Sequence, residues 1–385
     1  MLKKNFYWCF VARLLRFLCL IVILFTASNT SFAQKKLLQV GFPAGCPQAQ
    51  SVAKKEVNNS PARIGSDSLV KKAKVLLIQL NKENVLGAIT ILEKAAEIDS
   101  TNAAIFYQLS SAYGSAPRYA GMLKKTGDEK SLSYFLKAFS LNPNAVEELR
   151  GMANFKIKYQ NDYACAEKLL LQILESAPKN ARIRFEYAIL VAAKNKFNEA
   201  YQIREKALAD ADSLTSLFIL NNSARMRYMA HDYDRVIKHS DKMIANYPKA
   251  DLINHFYKGL ALAEQGKYDQ ALAQQKLATP SLKGDAGGVA NLARAYILAG
   301  DISNGKLALQ EVLDRYARGE HVVKYQIAAV YEALGDFDNT FLWLNRYAED
   351  GGGIHDWLLW LNHDPRWKRI RNDVRFKELK VRAGL

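Results

Sequence analysis

A turn-forming residue returns at a nearly fixed interval through the middle of this chain, and that interval constrains the fold more than any other feature. Asn161, Asn195, His231, Gly266, Gly300 and Gly335 each follow one helical stretch and precede another, with steps of 34, 36, 35, 34 and 35 residues. Two short helices and two turns consume a period of this size. The chain therefore reads as helix pairs stacked one on the next, burying a continuous core between neighbours. Other positions hold the same phase. Seven residues before the turn stands a small residue (Ala188, Ala224, Gly259, Ala293, Ala328), where two helices can approach closely. Two residues after it stands a large one (Tyr163, Phe197, Tyr233, Tyr268, Ile302, Phe337), suited to plugging the gap between paired helices. Five residues after it come Ala166, Ala200, Val236, Ala271, Gly305 and Thr340, again small or modest. Pro143, Pro178 and Pro248 fall just past second helices, where proline stops a helix without breaking one.

This phased pattern resembles the tetratricopeptide repeat family. The unit Gly259, Leu262, Gly266, Tyr268, Ala271, Ala278 carries most of the family's positions, and Ala293–Tyr296–Gly300 and Ala328–Tyr331–Gly335–Phe337 match well. The resemblance implies an all-α, right-handed superhelical solenoid of about eight antiparallel helix pairs over residues 67–350. Upstream the phase loosens. Residues 115–129 add about nine residues to the repeat period, and this polar, glycine-containing stretch reads as a long inter-helix loop, either functional or merely tolerated.

The start of the chain does not belong to the array. Lys3, Lys4, Arg13 and Arg16 precede the apolar run Phe17–Ala27, and Ser31-Phe32-Ala33 supplies small residues three and one positions before Gln34. This reads as a secretory signal over residues 1–33, with an uncleaved N-terminal anchor as the alternative. Residues 34–66 lack periodicity and read as a flexible leader. A lipidated Cys46 is disfavoured by Pro43 and by the distance from the apolar run. Past the signal, Cys46 and Cys165 remain. One possible pair does not make a disulfide framework, and Cys165, within a helical pattern, reads as a small core residue. Without the signal the chain keeps 50 basic and 38 acidic residues, a formal charge of +12, which favours anionic partners. Export makes nucleic acid an unexpected one.

After Gly351–Gly353, read as a break, residues 351–385 are rich in Trp and Arg. This stretch resembles the closing segment of many bacterial tetratricopeptide proteins, with Asp364-Pro365-Arg366 followed by Arg371-Asn372-Asp373-Val374-Arg375-Phe376. A solenoid needs its apolar end covered, so a C-terminal capping helix segment is one reading. The other is a basic, aromatic surface for anionic lipid or cell-wall polymer, using Arg371, Arg375 and Lys377.

No catalytic constellation emerges. The six histidines (His231, His239, His255, His321, His355, His363) scatter over separate units, and HExxH, GxSxG and GxxxxGK[ST] patterns are absent. His355-Asp356 and His363-Asp364 read as turn or cap residues, and Gly284–Gly288 has no strand before it. No cofactor, metal or catalytic residue is expected. The resemblance instead implies a concave groove lined by first helices, whose facing positions include Lys158, Arg182, Asn221, Arg225, Tyr228, Arg294 and Tyr325. The expected function is a non-enzymatic protein- or peptide-binding scaffold, exported to the periplasm or secreted.

Overall fold

In the computed structural model the described residues are 45–47, 60–77, 80–247, 252–281 and 283–385. The chain divides at Gly45/Cys46, and every described helix belongs to the unit Cys46–Leu385. The signal segment and most of the leader lie outside the described residues.

Among the described residues there are seventeen α-helices, sixteen of them in eight pairs, so the all-α helix-pair array expected from the period is what forms. The pairs are α1–α2 (Pro61–Leu76, Lys82–Ile98), α3–α4 (Ala103–Tyr119, Lys124–Leu141), α5–α6 (Val146–Gln160, Tyr163–Ser176) and α7–α8 (Ala181–Ala193, Phe197–Ala209). They continue as α9–α10 (Ser213–Met229, Tyr233–Asn246), α11–α12 (Leu252–Glu264, Tyr268–Ala278), α13–α14 (Ala286–Leu298, Ile302–Ala317) and α15–α16 (Lys324–Leu334, Phe337–Asp350). Two single-turn 3-10 helices, Leu358–Trp360 and Pro365–Trp367, then lead to α17 (Val374–Arg382).

The local chemistry of the turns explains the period. All six phased turn residues have positive φ, from 52° at Asn161 to 87° at Gly300. This left-handed position ends the first helix of each of the six pairs from α5–α6 onward; glycine adopts it freely and asparagine tolerates it. The next residue often caps the second helix: Asp162, Asp301 and Asp336 accept from the backbone N–H groups of Cys165, Asn304 and Asn339 at 2.9–3.2 Å. The first pair begins at Pro61, where Ser60 accepts from Arg63 N–H at 3.2 Å, so six residues of the stretch read as leader are helical.

The small residues seven before and five after the turn pack against each other. A Cβ on Gly259 would lie 3.2 Å from Ala271 O, and one on Gly305 would lie 3.1 Å from Ala293 O. The two backbones of a pair are thus in contact, and a methyl group fills the available depth. The large residue two after the turn does not plug that gap. Tyr268 and Ile302 are each 41% exposed, because this position lies on the rim of the array and not between its helices.

Residues 115–129 do not form a long loop. Helix α3 runs to Tyr119 and α4 starts at Lys124, so the extra residues lengthen both helices, to 17 and 18 residues against 13 each in α7 and α8. Gly127 permits this: a Cβ there would lie 2.4 Å from Pro117 Cγ, so α4 can press against the proline in the last turn of α3. The lengthened tip reaches another part of the array, where Arg118 makes a two-point ion pair with Asp285, the N-cap of α13, at 3.1 and 3.2 Å.

Cys165 is buried, as a core residue would be, but it is not free: it forms a disulfide with Cys46, 119 residues away, with a Cα–Cα distance of 5.4 Å. Cys46 is thereby fixed to the first turn of α6.

Candidate functional site

Segment 351–385 does not merely cap the last pair. It turns back from α16 and runs across the inner face of the array, where a ligand groove was expected. The three glycines mark a close crossing. A Cβ on Gly351 would lie 1.9 Å from Lys158 O, and one on Gly353 would lie 2.9 Å from Asn154 Oδ1. Only chain without side chains passes α5 at that distance.

His355 comes next. Its Nε2 lies 3.1 Å from Glu186 Oε1, its ring sits edge-on to Phe218 at 5.4 Å, and its carbonyl accepts from the Arg225 guanidinium. Glu186 is fully buried yet also accepts from Arg150 at 2.8–3.0 Å and from Arg182 at 2.9 Å. Burial alone would push its carboxyl up; Arg150 and His355 overcome that and hold it well below the usual carboxylate range. Burial lowers the His355 imidazole, so it stands as a neutral donor to Glu186.

Deeper in the groove Trp357 stacks on Tyr325 at 5.6 Å between ring centroids, with the guanidinium carbons of Arg366 at 4.5 Å and Arg225 at 4.8 Å over its ring. Asp364 and Arg366 form an ion pair with both side chains fully buried. Asp364 accepts from the Tyr325 hydroxyl at 2.9 Å, Arg366 donates to Gln326 Oε1 at 2.6 Å, and Trp367 Nε1 donates to the Tyr325 hydroxyl at 2.5 Å. Such a pair is stable only when its remaining hydrogen-bonding sites are filled, and here Tyr325 and Gln326 of α15 fill several of them. Burial, then Asp364, raises the Tyr325 phenol, so it remains a donor.

The segment then follows the rim. His363 Nε2 bonds Ala193 O at 2.8 Å, and His231 Nε2 bonds His363 O at 2.8 Å. Farther on, Asn161 Nδ2 donates to Arg382 O and the Tyr163 hydroxyl to Ala383 O, both at 3.0 Å. The residues two after the turn find partners here: Tyr163 under Ala383, Phe197 edge-on to His363 at 5.3 Å, and Phe337 below the Arg369 guanidinium at 5.4 Å.

Of the seven groove positions named from the sequence, four are engaged within this assembly. Tyr325 and Tyr228 are completely buried, Arg225 holds Tyr257 and His355, and Arg294 shares Glu264 with Tyr228 at 3.3 Å. Lys158 is paired with Asp128 at 3.1 Å, and Asn221 accepts from Asn254 at 3.3 Å. Arg182 remains part-open, its side chain 37% exposed and its guanidinium carbon 3.5 Å from the Phe218 centroid. The candidate anionic surface is reduced by its own acceptors. Arg371 donates to Asp364 O, and Arg375 is held by Asp373 and Asp338, leaving Lys377 exposed. Sequence reasoning did not find Phe218, Glu186 or the contact of His355 with them. The Asp-Pro-Arg-Trp stretch was its one usable signal. Among the described residues no group of His, Cys, Asp and Glu side chains could hold a metal ion.

No protein-family model matches the sequence, and no curated protein matches it. Solved structures do match the fold. A monomeric mutant of human IFIT1 with m7Gppp-AAAA is 15% identical over 85% of this chain and 82% of its own, with a TM-score of 0.50. Yeast Tom70 is 14% identical over 93% of this chain and 74% of its own, at 0.46. A tetratricopeptide repeat protein from Parabacteroides merdae is 15% identical over 65% and 93%, at 0.43. With its phased turns, its paired small residues and the likeness to IFIT1 in fold, the chain has a tetratricopeptide-like helical-repeat fold.

Proposed function

We propose that this chain is a non-enzymatic binding scaffold of the bacterial cell envelope, and that it takes a protein or peptide partner on the part of its inner face that segment 351–385 leaves open. The observation that carries the reading is Arg182. Its guanidinium is already stacked on Phe218 and steadied by Glu186, yet more than a third of the side chain faces solvent. A pre-ordered guanidinium on an aromatic ring is a suitable anchor for a partner's carboxylate or aromatic side chain, because little freedom is lost on binding. Asn221 lies on the same helix as Phe218, and Leu214 and Leu252, in the first turns of α9 and α11, are 62% and 56% exposed. The Cys46–Cys165 disulfide supports the envelope setting, since such bonds persist where the surroundings are oxidising. The signal-like start of the chain supports it too.

The test is capture from an envelope extract on immobilised protein, eluted by a salt gradient. A discrete protein retained at high salt, and lost when Arg182→Glu is combined with Phe218→Ala, is the expected result. Retention unchanged by that pair of substitutions would overturn the inner-face reading. Recovery of only lipid or wall polymer, released at modest salt, would overturn the scaffold reading in favour of a charged-surface adaptor.

A further inference from the structure

Three residues at the start of α6 hold two chain segments that are far apart in sequence. Asn161 and Tyr163 bond the carbonyls of Arg382 and Ala383, while Cys165 is joined to Cys46. Gly384 is packed on the same spot: a Cβ there would lie 2.9 Å from Asn161 Cβ and 3.0 Å from Asn161 O. Asp162, between these anchors, caps α6 by accepting from the backbone N–H of Cys165 at 2.9 Å. Cys46 and the end of α17 are therefore moored within five consecutive residues.

We propose that this turn is a redox-linked latch, in which the Cys46–Cys165 disulfide sets how firmly α17 is docked. The cross-link ties the first turn of α6 to a second segment of chain. Without it that turn is held by its cap and by packing on α5, and every fluctuation of the turn displaces Asn161 and Tyr163 from their acceptors. The other anchors of α17 do not share this dependence. Arg375 is held by Asp373 and Asp338, and Arg382 by Asn345, all within the last pair and α17's own approach. Loosening is accordingly confined to the end of α17 nearest Asn161. Trp357 and Trp367 remain in the groove, since they pack on Tyr257 of α11 and Tyr325 of α15.

The chemistry needs only a dithiol reductant. Its thiolate attacks the sulfur of Cys46, the less buried of the two cysteines. The S–S bond breaks, and Cys165 leaves as a thiolate and takes up a proton. The second thiol of the reductant then displaces Cys46 from the mixed disulfide, so the protein gains two thiols and the reductant becomes a disulfide.

Coupling of this kind is reciprocal, which supplies two independent readouts. In the first, hydrogen–deuterium exchange is followed in the oxidised full chain and after reduction by dithiothreitol. Amides of residues 379–385 should exchange about five- to tenfold faster on reduction, with α12 and α14 unchanged. Equal exchange of 379–385 in the two states would overturn the proposal, and so would uniform acceleration across the array, which signals global loosening. The second readout leaves the cysteines in place. Asn161→Ala with Tyr163→Phe should shift the glutathione equilibrium of the disulfide toward the thiols by about fivefold, by the same linkage. An unshifted equilibrium would show that the two moorings are independent and would overturn the latch.

Discussion

Replacing Asp364 with alanine tests whether the groove is filled as described. Asp364 and Arg366 are both fully buried. The carboxylate accepts from Arg366 Nη2 at 2.6 Å and Nε at 3.0 Å, from the Tyr325 hydroxyl at 2.9 Å, and from the backbone N–H of Arg366 at 3.0 Å. Alanine leaves the guanidinium with Gln326 and the faces of Trp357 and Tyr325, in a site closed to water. Removing one partner of a buried ion pair costs about 3–5 kcal/mol. The lost cap of the Pro365–Trp367 turn overlaps that figure, since the same oxygen serves both roles, so about 4 kcal/mol is expected in all. Three of the five tryptophans in the sequence lie in this segment, so their fluorescence follows its docking directly. In a urea titration the fluorescence midpoint should fall by more than about 1 M, with slopes of roughly 1–3 kcal/mol/M. Midpoints are the quantity to compare, because a repeat array need not unfold in one step. Asp364→Leu combined with Arg366→Met, which replaces the pair by apolar groups, should recover most of the loss. A shift for Asp364→Ala worth under about 1 kcal/mol would mean that water reaches Arg366, and the segment would not lie seated in the groove.

Gly351→Ala should cost at least about 2 kcal/mol in thermal melts, because its Cβ meets a main-chain oxygen that cannot move aside. Gly266→Ala, also at positive φ but in open space, should cost about 1 kcal/mol; equal losses would refute the close crossing. Glu148 is nearly fully buried, and burial pushes its carboxyl up to about 7. It stays protonated in the folded chain where the unfolded chain is ionised, so its contribution fades as pH rises from about 4.5 to 7. Glu148→Gln should therefore gain stability relative to wild type across that window and level off above it; a constant difference would count against the burial. Thiol titration of the chain from Gln34 onward should find no free thiol in denaturant and two after reduction, whereas free thiols before reduction would contradict the Cys46–Cys165 bond.

The array was legible because its packing is local and repeated. Ala188, Ala224 and Ala293 signal close helix approach by their size alone, and a turn that demands positive φ selects Gly, Asn or their like. The rim residues were misread for the same reason. Within one repeat, Tyr163 and Phe197 have nothing to do except fill a gap, and their real partners, Ala383 and His363, come from a segment more than 150 residues away. Residues 115–129 looked like a loop because of Gly114, Pro117 and Gly121, yet Pro117 in the last turn of α3 is matched by Gly127 across the pair. The buried carboxylate of Glu186 carried no mark at all. Its arginines come from α5 and from one turn away on α7, and its histidine from beyond α16, so only the assembled fold brings them together.

The route of segment 351–385 also fixes an order of events. Every helix it crosses is synthesised before it, so the inner face is first built empty. In that interval Arg150, Arg182 and Arg225 lack the contacts of His355, with Glu147 and Glu186 as their acidic partners, and Tyr228, Tyr257 and Tyr325 line an open trough. Contacts between neighbouring pairs can form as each pair emerges, but the seam from Asn161 to Arg382 closes a span of 221 residues and must wait for both ends. The newly made chain thus carries a sticky, cationic inner face along its helix pairs, and the finished one covers that face with its own peptide.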